Sequence, residues 1–327
     1  MAFAKAMVEA YEARGLSPAG VLAKAQIAPD SVHDPAARMT AAQMETLSDA
    51  AMRELDDEGL GCFSRALPWG SYGMLARASL SAPTLGLALK RWCRHHALLT
   101  RDIALTVKTD EATHLASIEL RPDARAASPS EFCVVSVLRN ILGFACWLVD
   151  SRIPLQGAQF PYAPPEHVAS YRVLFDGPCA FEAPHAALHF DARYLALPIR
   201  RDETAMNQML QHALPLTVHA YRRDRLLVQR VRLVLSTQPE AARNATDLAL
   251  ALNLSPRTLH RQLKDEGATL QALKDEVRRD RAMDLLQRTQ RPVKQVAEAS
   301  GFQNEKSFIR AFRAWTGVTP GEWRTRG

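Results

Sequence analysis

Residues 296–324 read VAEASGFQNEKSFIRAFRAWTGVTPGEWR. Two short amphipathic helices are predicted here, split by the Gly301-Phe302 step. Asn304 suits the N-cap of the second helix, and Gly317 stands where that helix should stop. Thr319, Pro320 and Glu322 then fall at N-cap, N1 and N3, the pattern of a capping box that opens one more short helix. The same design occurs earlier in the chain. In LALALNLSPRTLHRQL, residues 248–263, Ala249 pairs with Ala297 and Leu254 with Phe302 at an offset of 48. Leu259 pairs with Phe308, Arg261 with Arg310 and Leu263 with Phe312 at an offset of 49. Ser255 suits an N-cap and Pro256 the first helical position; Asn253 and Gly301 occupy turns that tolerate a left-handed backbone. Gly267 stands at the end of the earlier copy's second helix.

Between the copies, Leu270, Leu273, Val277, Ala282, Leu285 and Leu286 form an imperfect helical stripe. A helix over 270–288 is ~28 Å long. The predicted ladder of about seven helices is 223–236, 246–252, 256–266, 270–288, 292–299, 304–315 and 320–325. In 256–266, Leu259 and Leu263 face inward. Arg257, His260, Arg261 and Lys264 lie at i, i+3, i+4 and i+7, one face of a helix. In 304–315, Phe308, Ala311, Phe312 and Trp315 form the inner stripe, with Lys306, Arg310 and Arg313 on the opposite side. A solvated helix often carries a few basic residues on one side; two copies with matched apolar anchors, turns and arginine argue against coincidence.

Charge follows the same division. From Arg222 onward there are 21 Lys and Arg against 12 Asp and Glu, a surplus of nine, while the first 221 residues carry a deficit of three. A basic segment beside a mildly acidic one points to a polyanion partner. An α-helix fits the major groove of B-DNA, and Arg bonds guanine O6 and N7 in a bidentate way. Flanking Lys and Arg bond phosphate and fix the register. Two such helices on one chain suit successive turns of a duplex, ~34 Å apart.

These residues resemble the AraC/XylS family of bacterial transcription regulators over roughly 225–325. The most specific part is A-x-x-x-G-F, S-x-F-x-R-x-F and G-x-T-P-x-x-[WYF]-R, present here from Ala297 to Arg324. The resemblance implies that Arg257, His260 and Arg261 of the first recognition helix, and Lys306, Ser307 and Arg310 of the second, face the bases. Two N-terminal stretches, residues 15–51 and 67–100, resemble the arabinose-binding-type domain of one branch of that family. That domain type serves varied ligands, so the label does not make arabinose the effector.

Read by itself, the N-terminal region suggests an α+β sensor or dimerisation domain over 1–200, a linker over 201–222, and the all-α DNA-binding domain with its two helix–turn–helix units over 223–327. Three helices are expected in 3–58, punctuated by Gly15, Pro18, Pro29 and Pro35. A helix is expected at 84–98, a hairpin with strands near 102–108 and 113–120, and an apolar helix from Ser128 or Ser130. A strand, a helix over PEHVASYRVLF and two short strands, CAFEA and ALHFD, follow. Candidate ligand-pocket residues are Trp69, Tyr72, Trp92, His95, His96 and Arg139, each also readable as core or surface. His95 and His96 are adjacent and do not share a helix face, which disfavours them as metal ligands.

Five scattered cysteines without metal or redox spacing read as reduced thiols, and no metal or cofactor is expected. There is no nucleotide loop and no nucleophile motif. No apolar run is expected to reach the roughly 18–20 residues of a membrane span. The charged start, MAFAKAMVEAYEARG, does not read as a secretory signal, so a cytoplasmic, nucleoid-associated protein is expected.

The favoured expectation is a homodimeric, effector-responsive regulator, an activator, that binds double-stranded promoter DNA and works with RNA polymerase. One alternative is a ligand-independent regulator with an N-terminal oligomerisation domain. A remote one is a DNA alkyl-transfer enzyme, whose reactive thiol sits in Pro-Cys-His-Arg; here Pro178-Cys179 precedes Ala180-Phe181.

Overall fold

The structure is a computed structural model that describes residues 1–34, 37–211, 226–238 and 244–326. The chain divides into two compact units at Asp224/Arg225. Pro35, residues 212–222 of the stretch read as a linker and the first residues of the helix expected at 223–236 lie outside the described residues.

The first unit opens with helices α1 (Ala2–Glu12), α2 (Ala19–Lys24) and α3 (Ala41–Glu54). Thr40 and Gln43 close a capping box at the start of α3. Met7, Tyr11, Leu22, Leu47 and Ala51 bury against one another and against Phe132 to form a helical subcore. Two helices follow, α4 (Ser71–Leu80) and α5 (Leu85–Leu99). Helix α5 is the one expected at 84–98, with Thr84 as its N-cap. Helix α4 was not foreseen.

Strands β1 (Ile103–Asp110) and β2 (Leu115–Pro122) pair antiparallel, Ile103 opposite Pro122 and Asp110 opposite Leu115. The hairpin is longer than expected because its turn lies at 111–114, beyond Asp110, with His114 in the left-handed region. Helix α6 (Glu131–Val149) starts at Ser130, whose hydroxyl accepts from the Cys133 N–H at 3.2 Å. Strand β3 (Leu155–Gln159), helix α7 (Tyr171–Leu174), and strands β4 (Cys179–Ala180) and β5 (Ala186–Asp191) complete a five-stranded sheet of order β1-β2-β5-β3-β4. Only the β3–β4 pair is parallel.

Three expectations need correction. PEHVASYRVLF is not one helix but a turn at 166–167, a 3-10 turn at Val168–Ser170 and then the four residues of α7. CAFEA pairs over only two residues, because Glu182 turns the chain out with φ of 57°. The third concerns apolar length. Helix α6 has 19 residues and mean hydropathy 1.9, long and apolar enough to cross a membrane by those measures. It is the core helix of this unit, 89% buried, and contacts β2, β5, α1 and α5.

The span read as a linker begins with helix α8 (Glu203–Gln211). Met206 and Met209 are buried, and Asn207 accepts from the Arg77 guanidinium of α4 at 3.1 Å. The first residues after 200 are thus packed structure.

The second unit is all helix: α9 (Leu226–Thr237), α10 (Ala245–Ala251), α11 (Pro256–Asp265), α12 (Leu270–Arg288), α13 (Val293–Ala299), α14 (Glu305–Thr316) and α15 (Pro320–Arg326). It holds two small cores. Leu227, Val231, Leu248, Leu252, Leu259, Leu263, Leu270 and Leu273 make an aliphatic one. Ala282, Leu286, Val296, Ala297, Phe308 and Phe312 make the other, with Phe302, Trp315 and Trp323 packed at its margin. Helix α12 gives its N-terminal half to the first core and its C-terminal half to the second. The two cores are therefore bolted to one continuous rod of 19 residues. Burial of each large apolar side chain contributes about 1.5–3 kcal/mol, so cores this small depend on every member.

Candidate functional site

The repeat is visible in the backbone hydrogen bonds of the two turns. In the first, the N–H of Leu252 reaches both Leu248 O and Ala249 O, Asn253 N–H reaches Leu250 O, and Leu254 N–H reaches back to Ala249 O at 2.8 Å. In the second, Ser300 reaches Val296 O and Ala297 O, Gly301 reaches Glu298 O, and Phe302 reaches Ala297 O at 2.9 Å. These satisfy the carbonyls left open at a helix end. The geometry needs a left-handed residue, which is Asn253 at φ 56° in one copy and Gly301 at 83° in the other.

Each turn leads into a capped helix. Ser255 Oγ accepts from Thr258 N–H at 3.1 Å to start α11, and Asn304 Oδ1 accepts from Ser307 N–H at 2.8 Å to start α14. Glu322 and Thr319 cap α15 reciprocally. Gly267 and Gly317, at φ 75° and 78°, follow the ends of α11 and α14.

With Leu259 and Leu263 buried, Arg257, His260, Arg261 and Lys264 are exposed on α11. With Phe308 and Phe312 buried, Lys306, Arg310 and Arg313 are exposed on α14, and Ser307 is half-buried. None of these six Lys and Arg side chains has a hydrogen bond or ion pair among the described residues. The neighbouring helices use theirs differently. Arg232 of α9 pairs with Glu276, Arg279 and Arg288 of α12 pair with Asp280 and Asp284, and Arg278 lies 5.3 Å over the Phe302 ring. Glu266, just past α11, accepts from Leu227 and Val228 N–H and so caps α9. Arg232, Arg279 and Arg288 are thus paired within the unit, whereas the cations on the outer faces of α11 and α14 are open to a polyanion.

The first unit holds a cavity of about 580 Å³, within the range of small-molecule sites. Its walls come from α3 (Glu45, Asp49, Arg53), the loop before α4 (Glu58, Trp69), α4 itself (Tyr72, Arg77), Asn140 of α6, and Leu210 and Gln211 of α8. A smaller chamber of about 120 Å³ shares Glu45, Met52, Glu58, Tyr72 and Asn140 with it and extends to Trp92 and His96. Three consecutive carboxylates shape the loop between α3 and α4. Asp56 accepts from Trp69 N–H at 2.8 Å. Asp57, 2% exposed, accepts from the N–H groups of Gly59, Gly61 and Leu67 and pairs with Arg14 at 2.6 Å. Glu58 accepts from Gly70 and Tyr72 N–H at 2.7 and 2.6 Å. Burial nevertheless holds the Glu58 carboxyl above its ordinary value, with help from the charges of Asp56 and Asp57.

The six candidate pocket residues separate. Trp69 and Tyr72 line the larger cavity, and Tyr72, Trp92 and His96 line the smaller one. Arg139 is 4% exposed and donates to Leu174 O at 2.6 Å, and His95 lies outside both linings. Glu45, Glu58 and Asn140 also line the cavities and are not among the sequence candidates, which are aromatic or basic. Their spacing has no period, since they come from a helix, a loop and a distant helix.

The cysteines are free thiols. Burial pushes Cys93 and Cys146 up to about 12, and raises Cys179. No group of three or more metal-type side chains occurs among the described residues.

A tandem pair of helix–turn–helix units following an α+β domain with a small-molecule cavity is the build of a DNA-binding transcription regulator that answers to an effector. The profile of the arabinose-binding domain of AraC transcription regulator, N-terminal, matches residues 15–199, and a helix-turn-helix domain profile matches 248–326. The chain belongs to the AraC family of transcription regulators. It is similar to the ornithine utilization regulator of Pseudomonas aeruginosa, 28% identical with 99% of this chain and 95% of that protein aligned. It is also similar to the HTH-type transcriptional regulator VqsM of the same organism, 29% identical over 87% of this chain and 90% of that one. Among solved structures, the transcriptional regulator CdpR from Pseudomonas aeruginosa aligns with 96% of this chain and 98% of its own at 22% identity and a TM-score of 0.35.

Proposed function

We propose that residues 223–327 bind promoter DNA with α11 and α14 in successive major-groove faces, and that residues 1–200 sense a small molecule and hold two copies together. In this reading Arg257, His260, Arg261, Lys306, Ser307 and Arg310 face the bases, and Lys264 and Arg313 bond phosphate. The observation that carries it is the pair of equivalent helices whose outer cations have no internal partner. The rod α12, ~28 Å long, supports a fixed spacing between them.

The effector acts by favouring one arrangement of the chain over another, since a ligand shifts an equilibrium only by its differential affinity. Engagement of RNA polymerase, activation of transcription and a cytoplasmic, nucleoid-associated location belong to the same proposal. Catalysis is not part of it: Cys179, the one thiol after a proline, has its pKa raised by burial, and Ala180-Phe181 beside it supplies no base. The cavity favours a ligand-responsive regulator over a ligand-independent one.

Genome-wide mapping of bound sites, followed by titration of the purified chain onto a recovered promoter fragment, tests the proposal. A protected site spanning two major-groove faces on one side of the duplex is expected. Protection of a single groove face sinks the two-helix reading.

A further inference from the structure

The smaller chamber has a polar end and a charged mouth, and its walls between them are apolar. Met7, Leu60, Phe63, Leu75, Trp92 and Phe132 supply most of the lining. At about 120 Å³ it is close to the space that takes one benzene-sized ring. His96 lies in its wall, 5% exposed, and neither ring nitrogen has a hydrogen-bond partner among the described residues. A buried imidazole without a partner is costly unless something else satisfies it. Burial pushes its pKa down to about 4, so the ring is neutral and offers one donor and one acceptor.

The mouth, where the two cavities share their walls, carries Glu45 and Glu58. Glu45 is half-buried and has no partner among the described residues. The cations nearby are engaged: Arg53 pairs with Asp49 at 3.0 Å and lies 4.1 Å over the Trp69 ring, and Arg77 donates to Asn207. The walls that the two cavities share are Glu45, Met52, Glu58, Tyr72 and Asn140, so the charge-bearing groups at the junction are two carboxyls, a setting for an ammonium group and against a carboxylate.

We propose that the effector is a primary amine on a short chain ending in one ring with a hydrogen-bonding substituent: ammonium between Glu45 and Glu58, ring in the apolar chamber, substituent on His96. This rests on the effector-responsive reading above. Leu210 and Gln211 of α8 wall the larger cavity beside that junction.

The test uses the full chain, calorimetric titration, and three probes of one size: tyramine, phenethylamine and 3-(4-hydroxyphenyl)propionate. Tyramine is expected to bind most tightly, phenethylamine several-fold more weakly, and the anion not at all. Glu45→Gln is expected to weaken tyramine about tenfold or more, with Glu45→Asp recovering part of it. His96→Phe is expected to erase the advantage of tyramine over phenethylamine. The unliganded melting temperature of each variant reports folding, and the probe comparison on the unaltered chain needs no variant. Binding of the anion as tightly as the amine, or of no amine, overturns the proposal. Promoter affinity measured with and without tyramine separates the two readings. Glu45-dependent binding that leaves promoter affinity unchanged supports the amine site and defeats the effector role.

Discussion

The arginines that form ion pairs in the first unit contrast with those on the outer faces of α11 and α14. In the first, Arg14 grips Asp57, Arg53 grips Asp49, Arg152 grips Asp176, and Arg201 grips Asp150 while lying 5.1 Å over the Trp147 ring. The Arg53 pair lies within α3, and the other three join segments that connect the helices and strands. In the second, Arg257, Arg261, Arg310 and Arg313 stand on the outer faces of two helices with no internal partner among the described residues. Composition does not distinguish an arginine paired within the chain from one left open on a helix face; what surrounds it does. Changes in the first unit should therefore register as stability, and changes on the two outer faces as DNA affinity alone.

The largest expected effect tests the cores beneath those faces. Phe308→Ala removes a fully buried ring that touches Phe302 and Phe312, and should cost about 3–5 kcal/mol of stability in the second unit. Chemical denaturation of the unaltered and altered chains measures it. Leu259→Ala, its counterpart in the aliphatic core, should cost about 2–5 kcal/mol. If either change lowers DNA affinity without loss of stability, the division between buried stripe and outer face is wrong.

Next, Asp57→Ala strands three backbone N–H groups and the Arg14 guanidinium. A loss of about 3 kcal/mol is expected in the first unit, read from the same denaturation curves. The melting of the second unit should not move. Concerted loss of both transitions would break the comparison.

The buried His96 supplies a pH test. Its folded pKa, about 4, lies below the usual imidazole value, so the unfolded chain binds the extra proton first as pH falls. Stability from this group is fully present above pH ~6.5 and is lost progressively down to pH ~4, by as much as ~1.4 kcal/mol per pH unit. Glu58, whose carboxyl is raised by burial, contributes in the opposite sense, losing stability as pH rises. The difference between the unaltered chain and His96→Phe isolates the histidine. A difference that stays constant from pH 4 to 7 refutes its burial as a neutral ring.

The smallest expected effect concerns the caps. Ser255→Ala and Asn304→Ala each remove one side-chain acceptor at the start of a recognition helix, and each should cost ~1 kcal/mol. Equal costs sharpen the equivalence of the two copies.

The second unit was legible almost residue by residue. The offsets of 48 and 49 fixed the anchors, the turns, the caps and the cationic faces, because helical period and capping chemistry are local. The first unit was less so. The run Asp56-Asp57-Glu58 reads as a solvated charge cluster, yet its carboxylates wrap a loop of backbone N–H groups and set Trp69 and Tyr72 in place. Helix α4 begins at Gly70, left-handed at φ 99° and capped through Glu58, a partner twelve residues earlier. No periodic pattern announces such a start. Arg139 shows the converse: a pocket candidate from the sequence, it is buried and donates to the carbonyl of Leu174.

The most direct test of the central claim is equilibrium binding of the full chain to one mapped promoter fragment, for Arg261→Ala, Arg310→Ala and the pair, over a series of salt concentrations. Each single change should weaken binding by about 1–3 kcal/mol, the two losses should add, and melting temperatures should stay where they were. If one of the two arginines proves silent, or if affinity falls only together with stability, the two helices do not read DNA side by side.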